Sequence, residues 1–234
     1  MPGPRFAIVA AVEQEVRPLL RKWRRREVGA PSGSGTRRLT VFESDNAVLI
    51  VGGIGVKAAA RAARVVLDLV QARTLVSVGS AGALKPDLKV GFVFRPATVI
   101  DAATGKRFAV QDGSGTLVTA ADILGPAEKK KVASRFPAEA VDMEAAAVAA
   151  VAQERGVEFM AIKSISDELD FALPPMGQFV NDEGQFHTGR FLGYIAVRPR
   201  LWGVVNRMAA DSARAAAALS AALESLETDV RIEP

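Results

Sequence analysis

The 234-residue chain has no cysteine, which excludes a disulfide framework, a thiolate metal site and a thiol nucleophile. Its one histidine, His187, leaves no histidine-based metal cluster and no evident Ser-His-Asp triad. No stretch reaches the ~18 uncharged apolar residues that a membrane span needs. A strong charge of one sign is missing too. Thirty basic residues against 26 acidic ones leave +4, too mild a bias to argue for nucleic acid. Basic residues do not interleave with an aromatic stripe outside the C-terminal region, so no single-strand platform is indicated either. The apolar start, Phe6 to Val12, is interrupted by Glu13 and has no basic leader, so it does not read as a signal peptide. The expectation is a cytoplasmic protein with no metal and no cofactor.

What is present is ordinary for a soluble α/β domain: 49% hydrophobic and 24% charged residues over a length able to bury a large core. Strand-like and helix-like segments alternate. Phe6 to Ala11 reads as a buried strand and Glu13 to about Arg25 as a helix. Ser32 to Gly35 reads as a turn, and Arg38–Glu43 with Ala47–Val51 as a hairpin around Ser44-Asp45-Asn46. A helix is expected over Lys57–Val70, then a strand over Thr74–Val78 ending in a Gly79-Ser-Ala-Gly82 turn. Val90–Ile100 supplies strand material and Leu117–Thr119 a short strand. Pro126 opens a helix to about Arg135, followed by a helix over Glu144–Arg155 and a strand over Glu158–Ser166. Leu173–Gly184 reads as a loop, and two helices within 186–226 close the chain. Apolar rather than alternating strands predict one α/β domain, residues 1–234, with a mostly parallel core.

Two acidic sites stand out. One apolar approach delivers Asp142-Met143-Glu144 to the start of an Ala-rich helix, and another delivers Ser166-Asp167 to a strand end. Carboxylates at the mouths of buried strands are costly unless they bind or react with something. Glycine clusters lie upstream. Gly52-Gly-Ile-Gly55 has neither the GK[ST] of a Walker loop nor the GxGxxG of a dinucleotide fingerprint, so alone it signals only a tight turn. Together these features indicate a site for a polar small molecule.

The order of motifs resembles the nucleoside phosphorylase/hydrolase superfamily, and within it the methylthioadenosine/S-adenosylhomocysteine nucleosidases. Ala11-Val-Glu13-Gln-Glu15-Val16 matches an A-x-E-x-E-V turn, and Gly52–Gly55 an S/G-G-I-G helix opening. Gly79–Gly82 matches a G-S-A-G turn and Leu88-Lys-Val-Gly91 an L-x-V-G-D element. Val141-Asp-Met-Glu-Ala145 matches V-E-M-E-A, and Ile165-Ser-Asp167 an S-D strand end. The resemblance implies a three-layer α/β/α fold with a central mixed sheet, a homo-oligomer with a dimer favoured, and cleavage of a nucleoside's N-glycosidic bond. It implies Asp167 as the acid that protonates a purine, with Ser166 beside it. Glu144 would hold the ribose hydroxyls above Met143, next to Asp142. Glu15 would activate water with help from Ser80, and Gly82 would lie among the substrate contacts. Lys163 stands where the family has arginine, and Ile123 or Leu124 where an aromatic would stack on the base. A carboxyl at a buried strand end is also expected to hold its proton unusually well, which suits an acid.

The segment Leu117–Lys129 leading to Ala140–Glu144 is more similar to the hopanoid-associated members, which remove adenine from adenosylhopane. The C-terminal run Phe186–Trp202 sets Phe191, Leu192, Tyr194, Ile195, Leu201 and Trp202 among arginines. Two readings stay open for it: amphipathic helices capping the sheet or a partner subunit, or peripheral contact with the inner membrane surface. The basic run Arg21–Arg26 reads as a solvated helix end meeting the carbonyl dipole. A phosphorylase holding phosphate near Lys163 and a non-catalytic nucleoside sensor are the competing readings.

Overall fold

A computed structural model of the chain describes residues 4–32, 35–110 and 112–229. The first strand, β1 (Phe6–Ala10), is buried along its whole length and alternates between two cores. Phe6, Ile8 and Ala10 face one, Ala7 and Val9 the other. That two-sided burial makes the strand apolar throughout. After it come a short 3₁₀ turn (Glu13–Glu15) and a one-turn helix, α1 (Arg17–Leu20).

The helix expected to reach Arg25 therefore ends at Leu20, and the basic run continues as strand. Arg24 opens β2 (Arg24–Ser32), which pairs antiparallel with β3 (Gly35–Glu43). Arg24 and Arg26 both pair with Glu43, so a carboxylate across the strand, not a helix end, meets these cations. The turn expected at Ser32–Gly35 falls partly outside the described residues. β3 folds back onto β4 (Ala47–Val51) through the expected hairpin, with Ser44 Oγ accepting from the Ala47 amide at 3.2 Å.

α2 (Val56–Leu69) leads into β5 (Thr74–Ala83), which continues straight through Gly79–Gly82 where a turn was expected. β5 is parallel to β1 on one side and, over nearly its full length, to β11 (Glu158–Asp167) on the other. Between them in sequence lie β6 (Val93–Phe94), β7 (Thr98–Asp101), β8 (Arg107–Ala109), β9 (Thr116–Thr119), α3 (Pro126–Arg135), β10 (Ala140–Asp142) and α4 (Ala145–Arg155). A second 3₁₀ turn (Gly177–Phe179), α5 (Thr188–Ala196), a third 3₁₀ turn (Pro199–Leu201) and α6 (Trp202–Asp229) complete the chain.

All of these strands join one 11-stranded mixed sheet, ordered β2-β3-β4-β1-β5-β10-β9-β7-β8, with β11 branching from β5 and β6 pairing with β11. Helices cover both faces. Alanines of α2 (Ala59, Ala62, Ala63) pack with Val148 and Val151 of α4 on one side. Leu19 and Leu20 of α1 pack with Leu219 and Leu223 of α6 on the other. The three-layer α/β/α arrangement is thus present, with parallel pairing at β4-β1-β5-β11 and antiparallel pairing in the β2-β3-β4 edge. No helix among the described residues is long and apolar enough to cross a membrane.

Candidate active site

The site forms where β1, β5, β10 and β11 end together. Glu15 sits on the 3₁₀ turn just after β1, and its carboxylate bridges to the next strand. Oε1 accepts from the Ser80 amide at 2.8 Å and Oε2 from the Val12 amide at 3.3 Å. This approach requires a glycine beneath it. A Cβ at Gly79, whose φ is +152°, would lie 3.1 Å from Glu15 Oε2.

Glu144 starts α4 from its N-cap position. Its Oε1 accepts from the Gly55 amide at 2.7 Å, so the glycine loop that opens α2 serves as a backbone donor to this carboxylate. Burial, reinforced by the negative charges of Asp142 and Glu15, pushes the Glu144 carboxyl up to about 7, against the pull of Lys163 and the Gly55 amide.

Asp142 and Lys163 form a buried ion pair at 2.9 Å, with side chains 0% and 1% exposed. Asp142 Oδ1 accepts from Thr119 Oγ1 at 2.7 Å, while Oδ2 also accepts from the Ala145 amide at 2.9 Å. Thr119 Oγ1 in turn accepts from the Ala146 amide at 2.9 Å. These bonds satisfy the first-turn amides of α4. Burial would drive the Lys163 ammonium down, but Asp142, Glu144 and Glu15 hold it above its ordinary value. The sequence reading set both residues among the substrate contacts. Asp142 does border the cavity, but its oxygens are engaged, and Lys163 points into this pair instead of the cavity. Asp142 thereby caps the first turn of α4, whose N-cap residue is Glu144.

Asp167 lies at the end of β11, just past an irregularity. Parallel register with β5 holds to Ile165↔Ala81 and then shifts, so that Asp167 faces Gly82. Such a bulge re-aims the side chain that follows it. Oδ1 accepts from Ser166 Oγ at 2.9 Å. Oδ2 accepts from Lys129 Nζ, which also donates to the Glu168 carbonyl at 2.9 Å. Lys129 is 1% exposed on α3. A Cβ at Gly82 would lie 2.9 Å from Lys129 Cε and 3.0 Å from Asp167 Oδ2, so the bare glycine makes room for the pair. A buried ammonium, which the sequence reading did not foresee, thus shares the surroundings of the Asp167 carboxylate.

These groups surround a cavity of about 790 Å³. Glu15, Ser80, Gly82, Met143, Glu144, Ser166 and Asp167 border it, as do Ile123 and Leu124. Sequence reasoning missed Lys129, hidden in the run Lys129–Lys131. It also missed the far wall, where Leu173, Met176, Met208, Ala213 and Ala216 form a mainly apolar surface. His187 is at the start of α5 and borders neither this cavity nor its smaller neighbour. Among the described residues no cluster of His, Asp and Glu could hold a metal ion.

Comparison with known proteins follows the same lines. The model of the phosphorylase superfamily matches residues 5–122 and 103–188. A 5′-methylthioadenosine/S-adenosylhomocysteine nucleosidase from Marinomonas sp. (strain MWYL1) is 30% identical over 161 residues, covering 54% of this chain and 70% of that protein. One from Buchnera aphidicola subsp. Baizongia pistaciae (strain Bp) is 28% identical over 200 residues, covering 71% and 79%. The apo structure of 5′-methylthioadenosine nucleosidase from Arabidopsis thaliana superposes with a TM-score of 0.72, covering 100% of this chain and 98% of that one. At 15% identity, that likeness speaks for the fold.

Proposed function

Because the chain belongs to the phosphorylase superfamily, we propose that it is a nucleosidase that hydrolyses the N-glycosidic bond of a 5′-substituted adenosine and releases adenine. The observation that carries this reading is the convergence of Glu15, Glu144 and Asp167 on one cavity. Breaking the bond leaves positive charge on the ribose and negative charge on the purine. Asp167 donates a proton to the departing base. Glu144, ionised, accepts from the ribose hydroxyls and sets negative charge near the developing cation, with Met143 as an apolar floor. Glu15 accepts a proton from the attacking water.

Water rather than phosphate is the nucleophile in this reading. Lys163, the cation that a phosphorylase reading relies on, is held in its buried pair with Asp142. The apolar far wall favours a large, greasy 5′ substituent such as that of adenosylhopane. A second reading, methylthioadenosine or S-adenosylhomocysteine as substrate, is favoured by the relatives that carry those names.

The test is adenine release from adenosine, methylthioadenosine and a lipid-linked 5′-adenosyl compound, with and without phosphate. The expected result is phosphate-independent adenine, best from the lipid-linked compound, reduced ~10²–10⁴-fold by Asp167→Asn. Turnover that requires phosphate would make the protein a phosphorylase. Preference for methylthioadenosine would support the second reading, and no adenine from any compound would refute both.

A further inference from the structure

Resting on the nucleosidase reading, we propose that Lys129 is a positioning residue that supplies, through Asp167, the proton taken by the departing base. Three observations carry it. Lys129 is the rare case of a lysine with 1% exposure, and its ammonium is directed at a carboxylate that borders the cavity. Its second donor contact, to the Glu168 carbonyl at 2.9 Å, fixes the ammonium beside Asp167 at the cavity wall. Gly82 leaves the space in which both groups meet, between Val141 of β10 and Asp167 of β11.

A buried ion pair is held by a balance between desolvation and mutual attraction. A nucleoside filling the cavity expels water from beside the pair and makes separated charges costlier there. The proton then moves from Nζ to Oδ2, leaving a neutral amine and a neutral carboxylic acid. As the C1′–N9 bond breaks and its electron pair passes to the purine, the acid O–H bond breaks and an N–H bond forms on the base. Asp167 returns to a carboxylate, and the Lys129 amine regains a proton from water once product has left. Asp167 is the group in contact with the base, and Lys129 acts through it. A carboxylate paired with a buried ammonium is a poor acid unless that ammonium gives up its own proton, which is why the pairing has mechanistic content.

The experiment compares wild type with Lys129→Met and Lys129→Arg, using two leaving groups on the same 5′-substituted ribose. One is adenine, which must be protonated to leave. The other is 4-nitrophenolate, which leaves as an anion and needs no acid. Lys129→Met is expected to lower kcat for the adenine compound about 100-fold with little change in KM. The nitrophenyl compound should lose less than about 3-fold on the same reasoning. The pH optimum of Lys129→Met for adenine release should also move towards acid, because the proton must then come from solvent, and Lys129→Arg, whose guanidinium keeps its proton, should not recover the rate. Equal losses on both leaving groups would reduce Lys129 to a structural part and overturn the relay, as would an unchanged rate or pH profile. Wild-type protein that cleaves the nitrophenyl compound but releases no adenine would refute the adenine reading and the relay together.

Discussion

Glu144 is asked to do two things that conflict. The role proposed for it at the ribose calls for a carboxylate, yet burial and the neighbouring charges of Asp142 and Glu15 push its carboxyl up to about 7. The sign of the consequence follows directly. A carboxyl raised in the folded protein binds more protons there than in the unfolded chain, so stability falls as pH rises from about 4.5 to about 7. Over the same window the ionised, ribose-binding form accumulates. We therefore expect kcat/KM to rise with pH up to about 7 while urea midpoints fall. Glu144→Gln should flatten the stability profile and be on the order of 1–3 kcal/mol more stable than wild type at pH 8. A urea midpoint series for both proteins between pH 5 and 8 checks this, and parallel profiles would contradict it.

At the scale of elements, β9, β10, α4 and β11 are locked by one ion pair and the hydrogen bonds around Asp142. Asp142→Asn should cost about 3–5 kcal/mol in chemical denaturation, because it leaves the Lys163 charge buried without its partner. Asp142→Asn with Lys163→Met should recover much of that loss, since no uncompensated charge then remains. The elements themselves were largely legible. Pro126 marked the start of α3, and the apolar runs marked β1, β5 and β11, because burial on both faces leaves a plain record in composition. Two readings failed for related reasons. Val16, Leu19 and Leu20 do have helical spacing, but nothing local shows that Arg24 onwards leaves the helix. β2 exists because it pairs with β3, a partner known only from the fold. Likewise Gly79–Gly82 looks like a turn in one dimension, and its strand conformation is imposed by β10 and β11 on its two sides. Glu15, Glu144 and Asp167 could be singled out because they lie within short motifs. Lys129 could not, because Lys129, Lys130 and Lys131 are indistinguishable until α3 is docked and only one turns inward. Lys130 remains outside, paired with Asp170 at 2.6 Å.

At the scale of the whole molecule, the cavity has a polar floor of strand ends and an apolar wall contributed by α6 and the 173–176 segment. In the proposed function, the wall sets how large a 5′ substituent fits. Ala213→Phe is expected to lower turnover of a lipid-linked 5′-adenosyl compound at least ~10-fold while leaving adenosine nearly unaffected, on the ordinary cost of overfilling packed space. Steady-state rates on the two compounds check it, and equal effects would mean that the substituent leaves by another route.

β5 pairs with β11 from Thr74 to Gly82, with β1 from Thr74 to Val78 and with β10 at Gly82 and Ala83, and it carries both glycines on which the acidic groups rest. Its Thr74–Val78 amides, with strands on both sides, should therefore be among the last in the protein to exchange with deuterium. The first turns of α6, where Ala209 is exposed beside the cavity, should exchange early and slow on filling. The molecule would then act like a vice with one fixed jaw: the reacting groups keep their spacing, and substrates of different bulk are accommodated by movement of the other jaw alone.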